Sequence, residues 1–374
     1  MRVAVPRESR AYERRVALVP GLVPRLTKVG LTVAVEPDAG VQAGYDDEAY
    51  RAAGAQVAAD ALDGAQVLLG VQPPTVAQIA RLAGDAVTVS FLPTAHELDL
   101  VRAMRDSGRT ALSMELVPRI SRAQTMDALS SQAVVAGYRA ALIAAERLPR
   151  FLPLLMTAAG TVPPARALVL GAGVAGLQAI ATLRRLGAVV SAYDVRAAAA
   201  EEVRSVGGEF IDLELETLEG SAGYAREMTQ ERALRQRELL APHIARADAL
   251  VTTAAVPGRP APLLVTADMM AGMKGGSVVV DLAAEQGGNV EGSVPGEEHL
   301  AGGVLLWGGR NVPSQMPAQA SQLYAMNVLN LLLLMVDGGA LRVDLADEVI
   351  AGCCVTHGGE IRHQPTGELV AAGS

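Results

Sequence analysis

A glycine-rich turn between two apolar segments is the feature whose residue types and spacing most clearly predict chemistry. Gly171, Gly173 and Gly176 follow the apolar run 167–170 and overlap the start of a helix-like stretch that continues over 177–186. Gly171 permits a tight turn, Gly173 lets the backbone approach a pyrophosphate, and Gly176 lets the helix pack closely on the strand. The free amides and dipole at such a helix start favour negative charge. The pattern therefore predicts a dinucleotide site rather than an ordinary glycine turn of an α/β domain.

An acidic residue in the expected place indicates which dinucleotide is bound. A second apolar run, 188–193, ends in Asp194, about twenty residues after the turn, where such folds place an acid for the hydroxyls of the adenosine ribose. A carboxylate there repels a 2′-phosphate, whereas Arg196, close by, could accommodate one. We therefore expect NAD(H) as the cofactor, with Asp194 and Arg196 both at the ribose.

Length and composition bound the class of protein. The chain has 374 residues, which is enough for two or more domains with substantial cores. Half of the residues are hydrophobic and 3% are aromatic, which is typical of α/β chains that bury strands on both faces. The net charge of −8 and the lack of basic tracts argue against nucleic acid as a partner.

Cysteine usage and hydropathy indicate whether the chain binds a metal or spans a membrane. Cys353 and Cys354 are adjacent and give neither a disulfide framework nor metal-ligand spacing, so no metal site is expected. Residues 1–6 read as a first strand, without the long apolar core of a signal peptide. The longest apolar run, 331–336, has two asparagines and an aspartate in its flanks and falls short of the ~20 residues that span a bilayer. We expect a soluble, cytoplasmic protein.

The order of elements predicts the fold class. Strand and helix patterns alternate along the N-terminal region, with Gly or Pro at nearly every junction, which predicts a parallel doubly wound sheet. A long helical pattern at 126–147, rich in small residues that suggest close packing, and another at 318–336 connect this region to a second one. The expected fold is α/β, with two doubly wound Rossmann-like domains joined by long helices. The NAD-binding domain, 126–315, is inserted into the first domain, 1–125 and 316–374.

Three further stretches carry expectations of their own. Residues 149–164 read as a loop, and residues 341–345 and 348–354 read as short closing strands. Residues 214–231 are acidic and lack apolar periodicity, which is typical of a functional lid or of a disordered insert.

Several longer motifs resemble a known family. Residues 118–127 read PRISRAQTMD, and LSSQA and AGYR follow at 129–133 and 136–139. The other matching stretches are MTAAGTVPPA at 156–165, VAGLQA at 174–179 and DLAAEQGGN at 281–289. Over nearly its whole length the sequence resembles the NAD(H)-binding component, domain I, of proton-translocating NAD(P) transhydrogenase.

The resemblance implies an activity, a cofactor and partners. In that family this component passes a hydride from NADH to NADP+, which is held by the NADP-binding domain of the beta subunit. Membrane-spanning subunits couple the transfer to proton translocation. A chain without membrane helices resembles the split form, in which the component is a separate alpha-1 subunit. The resemblance implies a homodimer on the cytoplasmic side, attached peripherally to the membrane through its partners.

The resemblance also implies the catalytic residues. Arg119, Gln124 and Asp127 match the family's segment that holds the nicotinamide, its ribose and the phosphates, and Ser130 belongs to the same segment. These types suit the task, since a guanidinium pairs with a pyrophosphate and the other three can hydrogen-bond carboxamide and ribose. Helix capping alone could explain Asp127.

Five further residues complete the expected nucleotide contacts. Val174, Val195, Thr253 and Ala254 are assigned to the cofactor site. Tyr224 matches the tyrosine of the family's mobile loop, which closes over the bound nucleotide; the alternative is a solvated, disordered loop.

Alanine dehydrogenase, the nearest relative by fold, is the competing interpretation. Arg15 matches its arginine-bearing start and could hold a substrate carboxylate. Where those enzymes carry a lysine and a histidine, however, this chain has Gln72 and Pro93, and His96 is expected at the surface. The acid–base groups that reductive amination needs are therefore missing. A third interpretation is a nucleotide-sensing or assembly module without catalysis.

Overall fold

A computed structural model describes residues 1–213, 215, 229–255 and 260–373. The chain divides into two compact units. The first unit consists of Met1–Gln132 and Ser314–Ser374, and the second consists of Ala133–Pro313. The second unit is therefore inserted into the first.

The N-terminal segment of the first unit contributes six parallel strands in the order β3-β2-β1-β4-β5-β6. Except at the edge strand Gln56–Val57, their apolar runs are buried on both faces, as expected for a parallel sheet covered by helices. The strands are β1 (Arg2–Val5), β2 (Thr32–Val35), β3 (Gln56–Val57), β4 (Val67–Leu69), β5 (Val87–Ser90) and β6 (Thr110–Ser113). The helices between them are α1 (Val23–Thr27), α2 (Asp47–Ala52), α3 (Val76–Arg81) and α4 (Leu98–Asp106).

A long helix, α5 (Ala128–Arg147), begins in the first unit and continues into the second. Its bounds confirm the helix predicted at 126–147. The predicted close packing is also confirmed, because a Cβ added to Gly137 would stand 2.0 Å from the carbonyl oxygen of Ala175. By length and composition α5 is the one helix among the described residues that could cross a membrane, a test that core helices of soluble proteins also pass.

The second unit is built on a seven-stranded sheet of order β11-β10-β9-β12-β13-β15-β14, parallel except for its edge strand β14. A hairpin of β7 (Leu155–Thr157) and β8 (Gly160–Val162) precedes it. The sheet strands are β9 (Arg166–Leu170), β10 (Val189–Tyr193), β11 (Glu209–Phe210), β12 (Ala249–Thr252), β13 (Val278–Asp281), β14 (Glu298–Ala301) and β15 (Val304–Gly308). The helices are α6 (Val174–Arg185), α7 (Ala199–Ser205), α8 (Gln230–Arg246) and α9 (Ala267–Ala271).

The C-terminal segment completes the first unit. Helix α10 (Pro317–Leu334) confirms the helix predicted at 318–336 and packs in the core. A two-stranded ribbon of β16 (Val336–Asp337) and β17 (Ala340–Leu341), then α11 (Glu348–Cys353), β18 (Cys354–His357), β19 (Glu360–Ile361) and α12 (Gln364–Ala372) follow it. Strand β18 adds antiparallel to β6 and β19 adds antiparallel to β18, so that the first sheet has eight strands.

Three local predictions were wrong. The strand expected at 348–354 is mostly the helix α11, because the carboxylate of Asp347 caps it by accepting the N–H groups of Val349 and Ile350. The strand expected at 341–345 ends at Leu341. The loop expected at 149–164 contains the β7–β8 hairpin.

Candidate nucleotide-binding site

The glycine turn lies at the topological switch point of the second unit's sheet. Strand β9 is central, with β10 on one side and β12 on the other. Leu170 at the end of β9 is in register with Tyr193 of β10 and with Thr252 of β12, so the three following segments start at the same sheet edge. Open α/β sheets bind ligands in the crevice at this position.

Close backbone approaches require glycine at two positions of the turn. Gly171 has φ +97°, and a Cβ there would stand 2.7 Å from the hydroxyl of Thr253, which donates to the Gly171 carbonyl at 2.9 Å. A Cβ on Gly176 would stand 1.9 Å from the same Gly171 carbonyl oxygen. These two glycines therefore let α6 begin directly against the turn, as their spacing predicts.

Gly173 differs from its two neighbours, because packing does not demand a glycine there. Its φ of −70° suits any residue, and apart from its two chain neighbours no described residue has an atom within 4 Å of the position that a Cβ would take. Gly173 is also the N-cap residue of α6, with no side-chain cap. A bare backbone at a helix start is the cradle that a pyrophosphate needs. The residues present therefore fit a dinucleotide.

Asp194 is held beside this turn by three groups. Its carboxylate accepts the Ala172 N–H at 2.7 Å, the Arg196 N–H at 2.9 Å and the Arg196 guanidinium, whose Nε lies at 3.0 Å. Only 9% of the Asp194 side chain is exposed. The acid thus lies where the sequence predicts, but Arg196 offsets part of its charge and weakens its repulsion of a 2′-phosphate.

The other predicted cofactor residues of the second unit follow the ends of the same central strands. Val174 is the first residue of α6, and Val195 follows β10 directly after Asp194. Thr253 and Ala254 follow β12. Tyr224, and most of the expected lid at 214–231, lie outside the described residues.

Asn289 is a buried residue whose role the sequence did not reveal. Its Oδ1 accepts the Ala254 N–H at 2.9 Å, and its Nδ2 donates to the carbonyls of Ala254 and Pro262, both at 2.8 Å. Asp281, also buried, accepts the Asn289 N–H at 3.0 Å. Asn289 therefore fixes the backbone after β12. Its place in the motif at 281–289 was the one available signal.

The segment that contains the expected catalytic residues lies at the start of α5 in the first unit. A 3₁₀ turn, Ser121–Met126, leads into Asp127, whose carboxylate accepts the N–H of Ser130 at 2.8 Å and its hydroxyl at 2.6 Å. Asp127 therefore caps α5, as the simpler interpretation of this residue proposed. Arg119 and Gln124 are exposed.

Two asparagines of α10 fix this 3₁₀ turn. The Nδ2 atoms of Asn327 and Asn330 lie 2.8 Å and 3.2 Å from the carbonyl oxygen of Thr125, to which both donate. In the sequence these residues stand out only as interruptions of an apolar run. Amides in an otherwise apolar helix were the signal, because a partly buried amide needs a hydrogen-bonding partner.

The residues at alanine dehydrogenase positions have structural partners. Gln72 donates its Nε2 to a carboxylate oxygen of Glu13 at 2.7 Å. Arg15 is buried against the same Glu13. His96 is exposed, as predicted, although it lies in the turn before α4 rather than on that helix.

Comparisons with known proteins agree with this geometry. The family described as Alanine dehydrogenase/PNT, N-terminal domain, matches residues 4–136, and its C-terminal domain matches residues 140–364. One relative is a chain of NAD(P) transhydrogenase subunit alpha from Rhodospirillum rubrum. It is 47% identical to this chain, and the match covers 97% of this chain and 98% of the relative. A transhydrogenase crystal structure from Sinorhizobium meliloti superimposes with a TM-score of 0.88 at 45% identity, covering 96% of this chain and 100% of that one.

Alanine dehydrogenase is a more distant relative. The enzyme of Halomonas elongata is 29% identical over 98% of this chain and 96% of its own. Both kinds of relative share the two-domain fold that the sequence predicts. The chain therefore belongs to the alanine dehydrogenase/PNT family and groups there with the transhydrogenase alpha subunits.

Proposed function

We propose that this chain is the NAD(H)-binding alpha-1 subunit of a proton-translocating NAD(P) transhydrogenase of the Si-specific/Re-specific type. The observation that supports it most is the combination of a dinucleotide turn at Gly171–Gly176 with Asp194 held against that turn. The similarity to the Rhodospirillum rubrum alpha chain over 97% of this chain supports the same assignment.

The chemistry asks little of the protein beyond positioning. Bound NADH supplies a hydride that leaves with both electrons of its C–H bond, so neither nicotinamide ring exchanges a proton. The chain's residues need only bind, orient and exclude water. A transfer without acid–base groups agrees with Gln72, which stands where alanine dehydrogenases carry a lysine. Its amide hydrogen-bonds Glu13.

The proposed roles divide between the two units. In the second unit the glycine turn holds the pyrophosphate, Asp194 and Arg196 meet the adenosine ribose, and Val174, Val195, Thr253 and Ala254 line the nucleotide. In the first unit Arg119, Gln124, Asp127 and Ser130 orient the nicotinamide and its ribose. Asp127 would serve as helix cap and ligand together, because its carboxylate has acceptor capacity beyond its two bonds to Ser130.

The proposal includes partners. NADP(H) is held by the beta subunit, and membrane-spanning subunits couple hydride transfer to proton movement. This chain works as a homodimer on the cytoplasmic side, attached to the membrane through those subunits.

Reconstitution tests the proposal. The purified chain is mixed with the NADP-binding domain of a transhydrogenase, and hydride transfer from NADH to NADP+ is followed optically. We expect transfer with the partner and no consumption of NADH with pyruvate and ammonia. Turnover of pyruvate would establish an alanine dehydrogenase. Tight NADH binding without transfer to any such partner would leave a sensing or assembly module.

A further inference from the structure

A buried ion pair in the first unit joins two residues that the proposed function does not use. Arg15 donates Nε to Oε1 of Glu13 at 2.8 Å and a terminal nitrogen to Oε2 at 2.6 Å. Only 5% of the Arg15 side chain is exposed, and none of the Glu13 side chain. Burial by itself would raise the pKa of Glu13, but the hydrogen bonds and charge of Arg15, with the Gln72 amide, lower it to about 2. The Glu13 carboxyl is therefore ionised at every physiological pH.

This pair contacts both points at which the chain leaves and re-enters the first unit. Arg15 donates its other terminal nitrogen to Oε1 of Gln132, the last residue of the first segment, at 2.8 Å. Ser314, the first residue after the return, donates its hydroxyl to Glu13 at 3.1 Å and accepts the Arg14 N–H at 2.6 Å. One ion pair thus fixes both crossing points.

Gln132 connects the pair to the start of α5. Its Nε2 lies 3.1 Å from the Ala320 carbonyl of α10 and 3.2 Å from the hydroxyl of Ser131, and donates to both. Ser131 is adjacent to Ser130 and donates its own N–H to the Asp127 carbonyl at 3.2 Å. The planar fork of a guanidinium can hold Glu13 and Gln132 in one geometry, whereas an ammonium cannot.

These contacts also argue against Arg15 as a binding group for a substrate carboxylate. Such a carboxylate would have to displace Glu13 from two short hydrogen bonds in a buried position. Glu13 would then be left as a buried charge with its main partner removed, which is strongly unfavourable.

We propose that Glu13 and Arg15 are a positioning pair, which acts through Gln132 to hold the first turn of α5 in the geometry that hydride transfer requires. The transfer component of this inference rests on the proposed function, since Asp127 and Ser130 lie on that turn. The anchoring component concerns the α5 turn alone and can be measured without any partner.

The test uses Arg15→Lys, Gln132→Met and the double variant in the full chain. Arg15→Lys keeps the charge opposite Glu13 but loses the fork. Each single variant should slow hydride transfer at saturating NADH by about tenfold or more, because a displacement of ~1 Å can cost a hundredfold in a reaction that depends on positioning. The NADH dissociation constant should stay within about threefold. The double variant should be no slower than the slower single one, because both break the same connection.

Arg81→Lys is the matched control. The Arg81 guanidinium, in the same unit, donates to Asp63 at 2.6 Å, to Glu36 at 3.1 Å and to the Ala59 carbonyl. None of these three partners belongs to α5. Arg81→Lys should leave transfer unchanged. Wild-type transfer rates in Arg15→Lys, or losses that multiply in the double variant, would overturn the positioning role.

Hydrogen exchange separates this inference from the proposed function. The amides of Ser130 and Ser131 should exchange faster in Arg15→Lys and Gln132→Met than in wild type or Arg81→Lys, with or without a partner. Unchanged hydrogen-exchange protection of these amides would overturn the proposal that the ion pair holds the first turn of α5. If these amides exchange faster in the two variants while the wild-type protein transfers no hydride, the anchoring role stands and the proposed function is refuted.

Discussion

The glycine turn of the second unit and the segment 119–130 of the first are proposed to act through different atoms of the chain. At the turn, backbone shape is decisive, since Gly171 and Gly176 tolerate no Cβ and Gly173 presents bare backbone. In the segment, the proposed contacts to the nicotinamide come from side chains. The Asp127 carboxylate and the Thr125 carbonyl already have partners within the first unit. The difference implies that nucleotide affinity and hydride transfer can be damaged separately.

The largest effect is expected at the turn. Gly176→Ala places a Cβ 1.9 Å from a carbonyl oxygen that cannot move without moving the turn. NADH affinity should fall by about a hundredfold, and the free energy of unfolding should drop by at least the ~1–3 kcal/mol typical of overpacking. Gly275→Ala is the control, because apart from its two chain neighbours no described residue has an atom within 4 Å of an added Cβ there. Equal NADH titrations and melting curves for the two variants would contradict this account of the turn.

The next effect is expected in the segment. Gln124→Asn and Asp127→Asn should each slow hydride transfer to the partner's nucleotide by an order of magnitude or more, with little change in NADH affinity. Asparagine remains a good helix N-cap, so Asp127→Asn should cost only a few tenths of a kcal/mol in stability. Stopped-flow rates, titrations and melting curves report the three quantities. Unchanged transfer would mean that these residues serve only the 3₁₀ turn and α5.

A smaller effect is expected on cofactor choice. Wild type should bind NADH more tightly than NADPH, because the Asp194 carboxylate repels a 2′-phosphate. Asp194→Asn removes that charge and leaves the Arg196 guanidinium available, so the preference should fall about tenfold. Parallel titrations with both nucleotides measure it. An unchanged ratio of the NADH and NADPH affinities would show that Asp194 does not contact the adenosine ribose.

The sequence predicted the turn better than the segment for a physical reason. Glycine spacing follows directly from local backbone geometry, so Gly171, Gly173 and Gly176 are readable within a few residues. The contacts of Asn327, Asn330 and Gln132 join residues far apart in the chain. A local pattern can mark an amide that needs a partner, but it does not identify that partner.

The smallest expected effect concerns stability against pH in the first unit. Burial, with a contribution from the nearby Glu13 charge, raises the pKa of Glu8 from 4.5 to about 7, although the Val71 N–H and the Arg15 charge oppose this. The folded protein therefore holds the proton more tightly than the unfolded chain. The stability from this group is complete below pH 4.5 and declines as pH rises to about 7. Between pH 5 and 8 the melting temperature of wild type should fall a few degrees more than that of Glu8→Gln.

The control for that measurement is Glu48→Gln on the exposed face of α2, where 79% of the side chain is accessible. Its melting temperature should follow the wild-type curve. Parallel curves for wild type and Glu8→Gln would show that Glu8 titrates normally.

The separation of affinity from transfer is tested most directly by single-turnover hydride transfer to NADP+ on the partner domain, measured over a range of NADH concentrations. Gly173→Val should need at least about ten times more NADH to reach half of its maximal rate, yet reach the wild-type plateau, because it obstructs only the pyrophosphate. Gln124→Asn should half-saturate near the wild-type concentration with a plateau about tenfold lower. Equal plateau losses in both variants, or a Gln124→Asn defect that excess NADH overcomes, would contradict the account.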